Sequence, residues 1–218
     1  MGVGEEKLGR LVRVGDLATF RREFTQLQGD LVAGKALDDR AAVAAILVCL
    51  EGLASVRHAW DVYAVATVQE EVGLRGAITS AYGLAPDLAI AIDVTFGNQP
   101  GVSEAETSEI GKGPGIGFGP NIHPKLHQTL VEVAKELEIP HQVEPIPGRS
   151  GTDAWAIQVT REGIPTALLS IPLRYMHTSV ETVSLKDVER TGRLMAGFIG
   201  KLDEGFMERL RWRLEIRD

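Results

Sequence analysis

The stretch DLAIAIDV, residues 87–94, is apolar at nearly every position until Asp93 interrupts it. A strand with one wet face alternates apolar and polar residues, so an almost unbroken apolar run marks a strand covered on both faces, as in a helix-flanked sheet. The sequence on either side supplies the covering helices. Residues 41–53 are rich in Ala and Leu and carry Gly52 near their end, which predicts a buried helix. Residues 61–68 (DVYAVATV) are β-branched and aromatic and predict a strand. A short helix is expected over 76–82. The periodic segment 124–137 opens on Pro124, which suits a first helical turn, and Ile139-Pro140 closes it. Residues 141–146 then read as strand, 153–162 as helix and 166–171 as strand. A long amphipathic helix is expected over 184–202, with Ser184 and Asp187 as a relaxed capping box. Alternation of this kind predicts a three-layer α/β/α domain on a mixed, mostly parallel sheet.

The bulk properties agree with one such domain and exclude several functions. The chain has 218 residues, 44% of them hydrophobic and 24% charged, within the ordinary globular range. A net charge of −7 argues against nucleic acid as a partner. Arg209, Arg211 and Arg213 are the one basic group, and they read as a solvated helix or strand face. The single cysteine, Cys49, lies in an apolar helix and reads as a small buried hydrophobe, with no intramolecular disulfide possible. The sequence has no signal-peptide core and no apolar run of membrane-spanning length, so a cytoplasmic protein without a membrane partner is expected. Residues 12–24 read as short β-type pieces around the turn Gly15-Asp16, different in character from the rest of the chain.

Carboxylates gather where strands end. Asp38 and Asp39 precede the Ala-rich helix, Glu70 and Glu71 come just after strand 61–68, and Asp93 closes strand 87–94. Ligands of open α/β sheets bind beyond the carboxyl ends of the strands, so these three places converge. Converging carboxylates repel unless protons or cations neutralise them. A cation site is the economical reading, and His177, in RYMHTSVE, completes it. Taken singly, Asp38 reads equally well as a helix cap and Glu70-Glu71 as a solvated turn. Asp93 within AIAIDVTF has to be paired, buried or functional.

The segments LDDR, VQEEVGLRGA, AIDVTFG, GRSGTDAWAIQ and PLRYMHTSVETV resemble, in order and spacing, the motifs of the M42 metallo-aminopeptidases, a family of glutamyl and deblocking aminopeptidases, some once labelled endoglucanases. The resemblance runs from Gly15 to about Leu202. It implies a zinc-peptidase-like catalytic domain that uses two divalent ions, Zn or Co, to hydrolyse N-terminal residues from peptides. By the same resemblance Asp38 would bridge the ions, Asp93 would bind the first, and Glu71 and His177 the second. Glu70 would be the general base. A homo-oligomer is also implied. The glycine-rich piece GKGPGIGFGP lacks a following Gly-Lys-Ser/Thr and reads as loop geometry instead of a phosphate cradle.

The family's first ion takes one further ligand, from a His-x-Asp motif near the N-terminus, and this sequence has no His-x-Asp. The expectation is that the chain begins inside the family's β-rich insert, with residues 1–30 a remnant of that assembly domain and 31–218 the catalytic domain, N-terminally incomplete and with its first metal site impaired. The pair His123 and His127, spaced four apart, lacks the glutamate of a zincin motif and reads as a surface helix start. His58 and His141 are also expected at the surface. Two rivals differ in class. One is a non-catalytic paralogue or fragment that binds peptides or assembles with full-length relatives. The other is a glycosidase, which would need Glu70 and Glu71 to face one bond across the usual ~5–9 Å, although neighbours on a strand point to opposite faces.

Overall fold

The central strand of the sheet, Thr166–Arg174, is buried along almost its whole length, and its alternating side chains supply the cores on both sides. This computed structural model describes residues 2–211. In chain order the elements are α1 (Glu5–Leu11), β1 (Thr25–Gln26), β2 (Leu31–Gly34), α2 (Leu37–Leu53), α3 (Arg75–Leu84), β3 (Ala89–Phe96), β4 (Gly115–Phe118), α4 (Pro124–Glu136), β5 (Gln142–Pro145), α5 (Asp153–Ile157), β6 (Thr166–Arg174), β7 (Glu181–Ser184), α6 (Leu185–Gly200) and α7 (Phe206–Leu210). Strand β3 runs parallel to β6 along one edge, with Asp93 opposite Ser170. Strands β4 and β7 share the other edge of β6, both antiparallel to it. The sheet continues outward through β5 on one side and through β2 and β1 on the other.

Three layers result. Leu169, Ile171 and Leu173 of β6 join Ala45 of α2, Leu130 of α4 and Phe198 of α6 in the larger core. Leu168 points the other way, with Ala91 and Ala154 of α5, and Ala77 of α3 packs against Ala156 beyond them. Helices α2 and α6 cross closely because Gly192 lets the α2 backbone approach. A Cβ there would stand 2.5 Å from the Ala45 carbonyl oxygen. Cys49 is buried in this layer, as expected. Among the described residues, no helix is long and apolar enough to cross a membrane.

Several expectations are corrected. The sheet is mixed, but it is mostly antiparallel: β3–β6 and β4–β5 are parallel, whereas β1–β2, β2–β7, β4–β6 and β6–β7 are antiparallel. The loop 175–180 between β6 and β7 is too short for the crossover that a parallel pair needs. Residues 61–68 form no ladder among the described residues. Their strand propensity is real, but a strand exists only by pairing, and none of the described strands pairs with them. Residues 12–24 hold no strand either. Helix α5 stops at Ile157, short of the expected 162. The capping box is absent, since the Ser184 side chain makes no cap bond. Asp187 is fully buried instead, and it accepts hydrogen bonds from the Gly113 amide at 2.8 Å and from Arg190. Arg213 lies outside the described residues.

Candidate metal centre

Asp38 sits where the chain turns from β2 into α2. Ala36 before it is left-handed, with φ of 54°, and the Asp38–Asp39 peptide is cis. Neither Asp38 nor Asp39 has helical backbone angles, so the regular helix runs on only from residue 40. The Asp38 side chain is 9% exposed. Glu71 lies in the turn that leads into α3, and His177, with φ of 62°, lies in the β6–β7 loop. The three meet. His177 Nε2 is 3.1 Å from Asp38 Oδ2 and 3.6 Å from Glu71 Oε2. One ligand atom from each of Asp38, Glu71 and His177 lies within 4.8 Å of the others. His177 and Glu71 are well exposed, so the cluster opens to solvent.

Asp93 and Glu70 stand beside this trio without joining it, and its charges act on them. Burial first, and then the carboxylates of Glu70 and Asp38, push Asp93 up to about 8, against the Val94 amide that it accepts from. Burial and the nearby Asp153, Glu71 and Asp38 raise Glu70 to about 7. Asp38 rises to about 6, again mainly by burial and then by Glu71, with His177 opposing. Asp39 reaches about 9 through burial and the neighbouring Asp93. Carboxyls held above their usual range by burial and by one another form a place that a bound cation would stabilise. One imidazole nitrogen and carboxylate oxygens converging there form a donor set suited to a divalent ion such as zinc. On these grounds Asp38, Glu71 and His177 fit a metal ion.

Residues that sequence reasoning passed over complete the setting. Glu181 accepts the backbone amides of Leu37 and Asp38 on one oxygen and that of His177 on the other. Asp153 accepts the Thr67 hydroxyl at 2.6 Å and presses on Glu70 by charge. Asp153 lies within the motif segment GRSGTDAWAIQ and Glu181 within PLRYMHTSVETV, but neither stands out there from its immediate neighbours. The remaining histidines stay apart. His58 bonds the Trp60 carbonyl at the surface, and His141 bonds that of Ile139. His127 is half-buried instead of exposed, with Nδ1 2.8 Å from the Gly117 carbonyl oxygen and its ring against Phe118.

The sequence model of the family described as M42 glutamyl aminopeptidase matches residues 3–194, and this chain belongs to that family. It is 45% identical over 190 residues to the lysyl aminopeptidase of Pyrococcus furiosus, a match covering 87% of this chain and 54% of that protein. An aminopeptidase of the archaeon Desulfurococcus kamchatkensis has the same fold, with a TM-score of 0.86 and 39% identity over 98% of this chain and 62% of its own. The TET1 peptidase of Pyrococcus horikoshii, described as assembling into a tetrahedron or a large octahedral shell, gives 0.71 at 30% identity, covering 90% of this chain and 58% of its own. The chain therefore spans little more than half the length of these relatives.

Proposed function

We propose that this chain carries the catalytic residues of a metal-dependent aminopeptidase that removes N-terminal residues from peptides. The observation that carries the reading is the meeting of Asp38, Glu71 and His177, with Glu70 raised to about 7 beside them. Asp38, Glu71 and His177 would hold one divalent ion, Zn or Co, and Asp38 with Asp93 a second. Such ions polarise a carbonyl and acidify water when bound. Glu70 has the protein's own part in the chemistry. A carboxyl that titrates near neutrality can take a proton at its oxygen and give it up again to a leaving amine. The exposed carboxylate of Glu71 also offers an anchor for the substrate's α-ammonium group.

The reading extends to a cytoplasmic homo-oligomer, with residues 1–30 belonging to an assembly domain. Support comes from the shells of the Pyrococcus horikoshii relative. Leu17 and Phe20, at 102% and 80% exposure, are apolar surface that assembly would cover. The test is turnover of leucyl-, lysyl- and glutamyl-p-nitroanilide by the full chain in excess Co²⁺ or Zn²⁺. Turnover that rises with metal and stops in chelator supports the proposal. Metal uptake at His177 with no turnover would favour the non-catalytic, peptide-binding alternative.

A further inference from the structure

Glu181 begins β7 and is 2% exposed, and its carboxylate faces backbone amides on both oxygens, with no ion pair to a cationic side chain among the described residues. Oε2 accepts from Leu37 N at 2.7 Å and from Asp38 N at 3.1 Å, and Oε1 accepts from His177 N at 2.9 Å. The two backbones so joined are the β2–α2 turn and the β6–β7 loop, which are distant in sequence. Each supplies one donor of the cluster, and each is held in left-handed backbone, at Ala36 with φ of 54° and at His177 with φ of 62°. Residues that sit in left-handed backbone without being glycine persist only where surrounding contacts hold them. The strand register explains the reach. Glu181 pairs with Gly34, so its side chain meets the chain just as β2 leaves the sheet.

We propose that Glu181 is a positioning residue for the metal centre, fixing the Asp38 and His177 donors relative to one another. The inference rests on the reading of Asp38, Glu71 and His177 as a metal site, and adds a residue that holds no metal itself. The chemistry requires a carboxylate at this length. Two oxygens without protons can face three N–H groups at once. Glutamine must turn its own N–H₂ toward one of the two loops, leaving that loop's amide without an acceptor. Aspartate keeps both acceptors but is one methylene too short to reach both backbones. Outer groups of this kind, which orient ligands, typically change metal affinity by about 10–100-fold when removed.

The experiment titrates Co²⁺ into the full chain and into Glu181→Gln, Glu181→Asp and His177→Ala, reading the visible d–d absorption bands, with thermal unfolding of each metal-free protein alongside. The expected result is a loss of affinity of about 10–100-fold in Glu181→Gln, with altered bands showing a distorted donor set. Glu181→Asp should recover little of it. Unchanged affinity and bands in folded Glu181→Gln, with only a lowered unfolding temperature, would overturn the positioning role and leave a structural one. If His177→Ala binds Co²⁺ like the parent chain, the metal-site reading itself fails, and this inference with it. Should the Glu181 variants not fold, amide hydrogen exchange in the metal-free parent chain decides. Protection of the Asp38 and His177 amides beyond that of their loop neighbours supports the clamp, and rapid exchange at both overturns it.

Discussion

Thr67 donates its hydroxyl to Asp153 Oδ2 at 2.6 Å, tying the segment that leads to Glu70 to the start of α5. Among the described residues no ladder holds 61–68, so this bond is one of the few that fix where Glu70 stands. The Gly76 amide, bonded to the Val68 carbonyl oxygen, is another. Asp153 Oδ1 is buried without a hydrogen-bond partner, which leaves the Thr67 hydroxyl as the group that satisfies this carboxyl. Thr67→Val keeps the shape and removes the donor. It should cost about 1–3 kcal/mol, the usual penalty for stranding a buried polar group. Urea unfolding measures it, and a variant as stable as the parent would show that Asp153 finds another donor.

The raised carboxyls set the sign of the pH dependence of the metal-free chain. Asp38 stands at about 6, Glu70 at about 7, Asp93 at about 8 and Asp39 at about 9, with burial the leading cause in each case. In the unfolded chain such groups titrate at ~4. Above that pH the folded chain binds more protons than the unfolded one, so stability falls as pH rises. The stabilising contribution is complete below about pH 4 and is lost successively through the four folded values. In chelator, the unfolding temperature should therefore decline between about pH 5 and 9. Added Zn²⁺ should reverse the decline, because metal ligands must be deprotonated to bind. A rise with pH in chelator would contradict the electrostatics of the carboxyl cluster.

Thr67 and the raised carboxyls were not equally legible in the sequence, and the same holds across the fold. The strand read at 87–94 is observed at Ala89–Phe96, although only Ala91, Val94 and Thr95 are fully buried in it, so its apolar run marked the strand better than the cover on both faces. The gathering of carboxylates was legible, but their place at strand ends only in part: Asp38 does follow β2, whereas Asp93 lies inside β3 and Glu70-Glu71 follow a segment that forms no ladder. Residues 61–68 misled because β-propensity describes a side chain's fit to a sheet, not the presence of a partner strand. The role of Asp187 was hidden. Its spacing from Ser184 matched a local cap, but the buried carboxylate serves the Gly113 amide from another part of the chain. Glu181 was invisible for the same reason, since its partners are backbone amides brought to it by the β2–β7 register.

Gly192 tests how tightly the helical layer supports the site. An alanine in a helix interior ordinarily stabilises by up to about 1 kcal/mol relative to glycine. Here the added Cβ would lie 2.5 Å from the Ala45 carbonyl oxygen and 2.6 Å from Val48 Cβ, inside contact distance of both. Sterics should win, and Gly192→Ala should destabilise by about 1–3 kcal/mol, as overpacked cores do. Gly83 in α3 has open space around the same position. Gly83→Ala should be neutral or stabilising by up to about 1 kcal/mol. Equal effects of the two in urea unfolding would mean that α2 and α6 adjust freely.

Adjacent glutamates with different duties provide the sharpest test of the proposed mechanism. Glu71 Oε2 lies 3.6 Å from His177 Nε2 and belongs to the three-residue cluster, whereas Glu70 does not. Glu70 is raised to about 7, first by burial and then by Asp153 and Glu71, as suits a group that exchanges protons near neutrality. Glu70→Gln should therefore lower turnover by about 10²–10⁴-fold, the usual cost of losing a general base, while metal content stays close to that of the parent. Glu71→Gln should lose metal affinity, and turnover with it. Metal content by plasma emission and turnover of aminoacyl-p-nitroanilides in excess Co²⁺ are measured on the same preparations. If Glu70→Gln loses its metal and Glu71→Gln keeps it, the two roles are exchanged. If both variants keep metal and turnover together, neither glutamate belongs to the reacting centre.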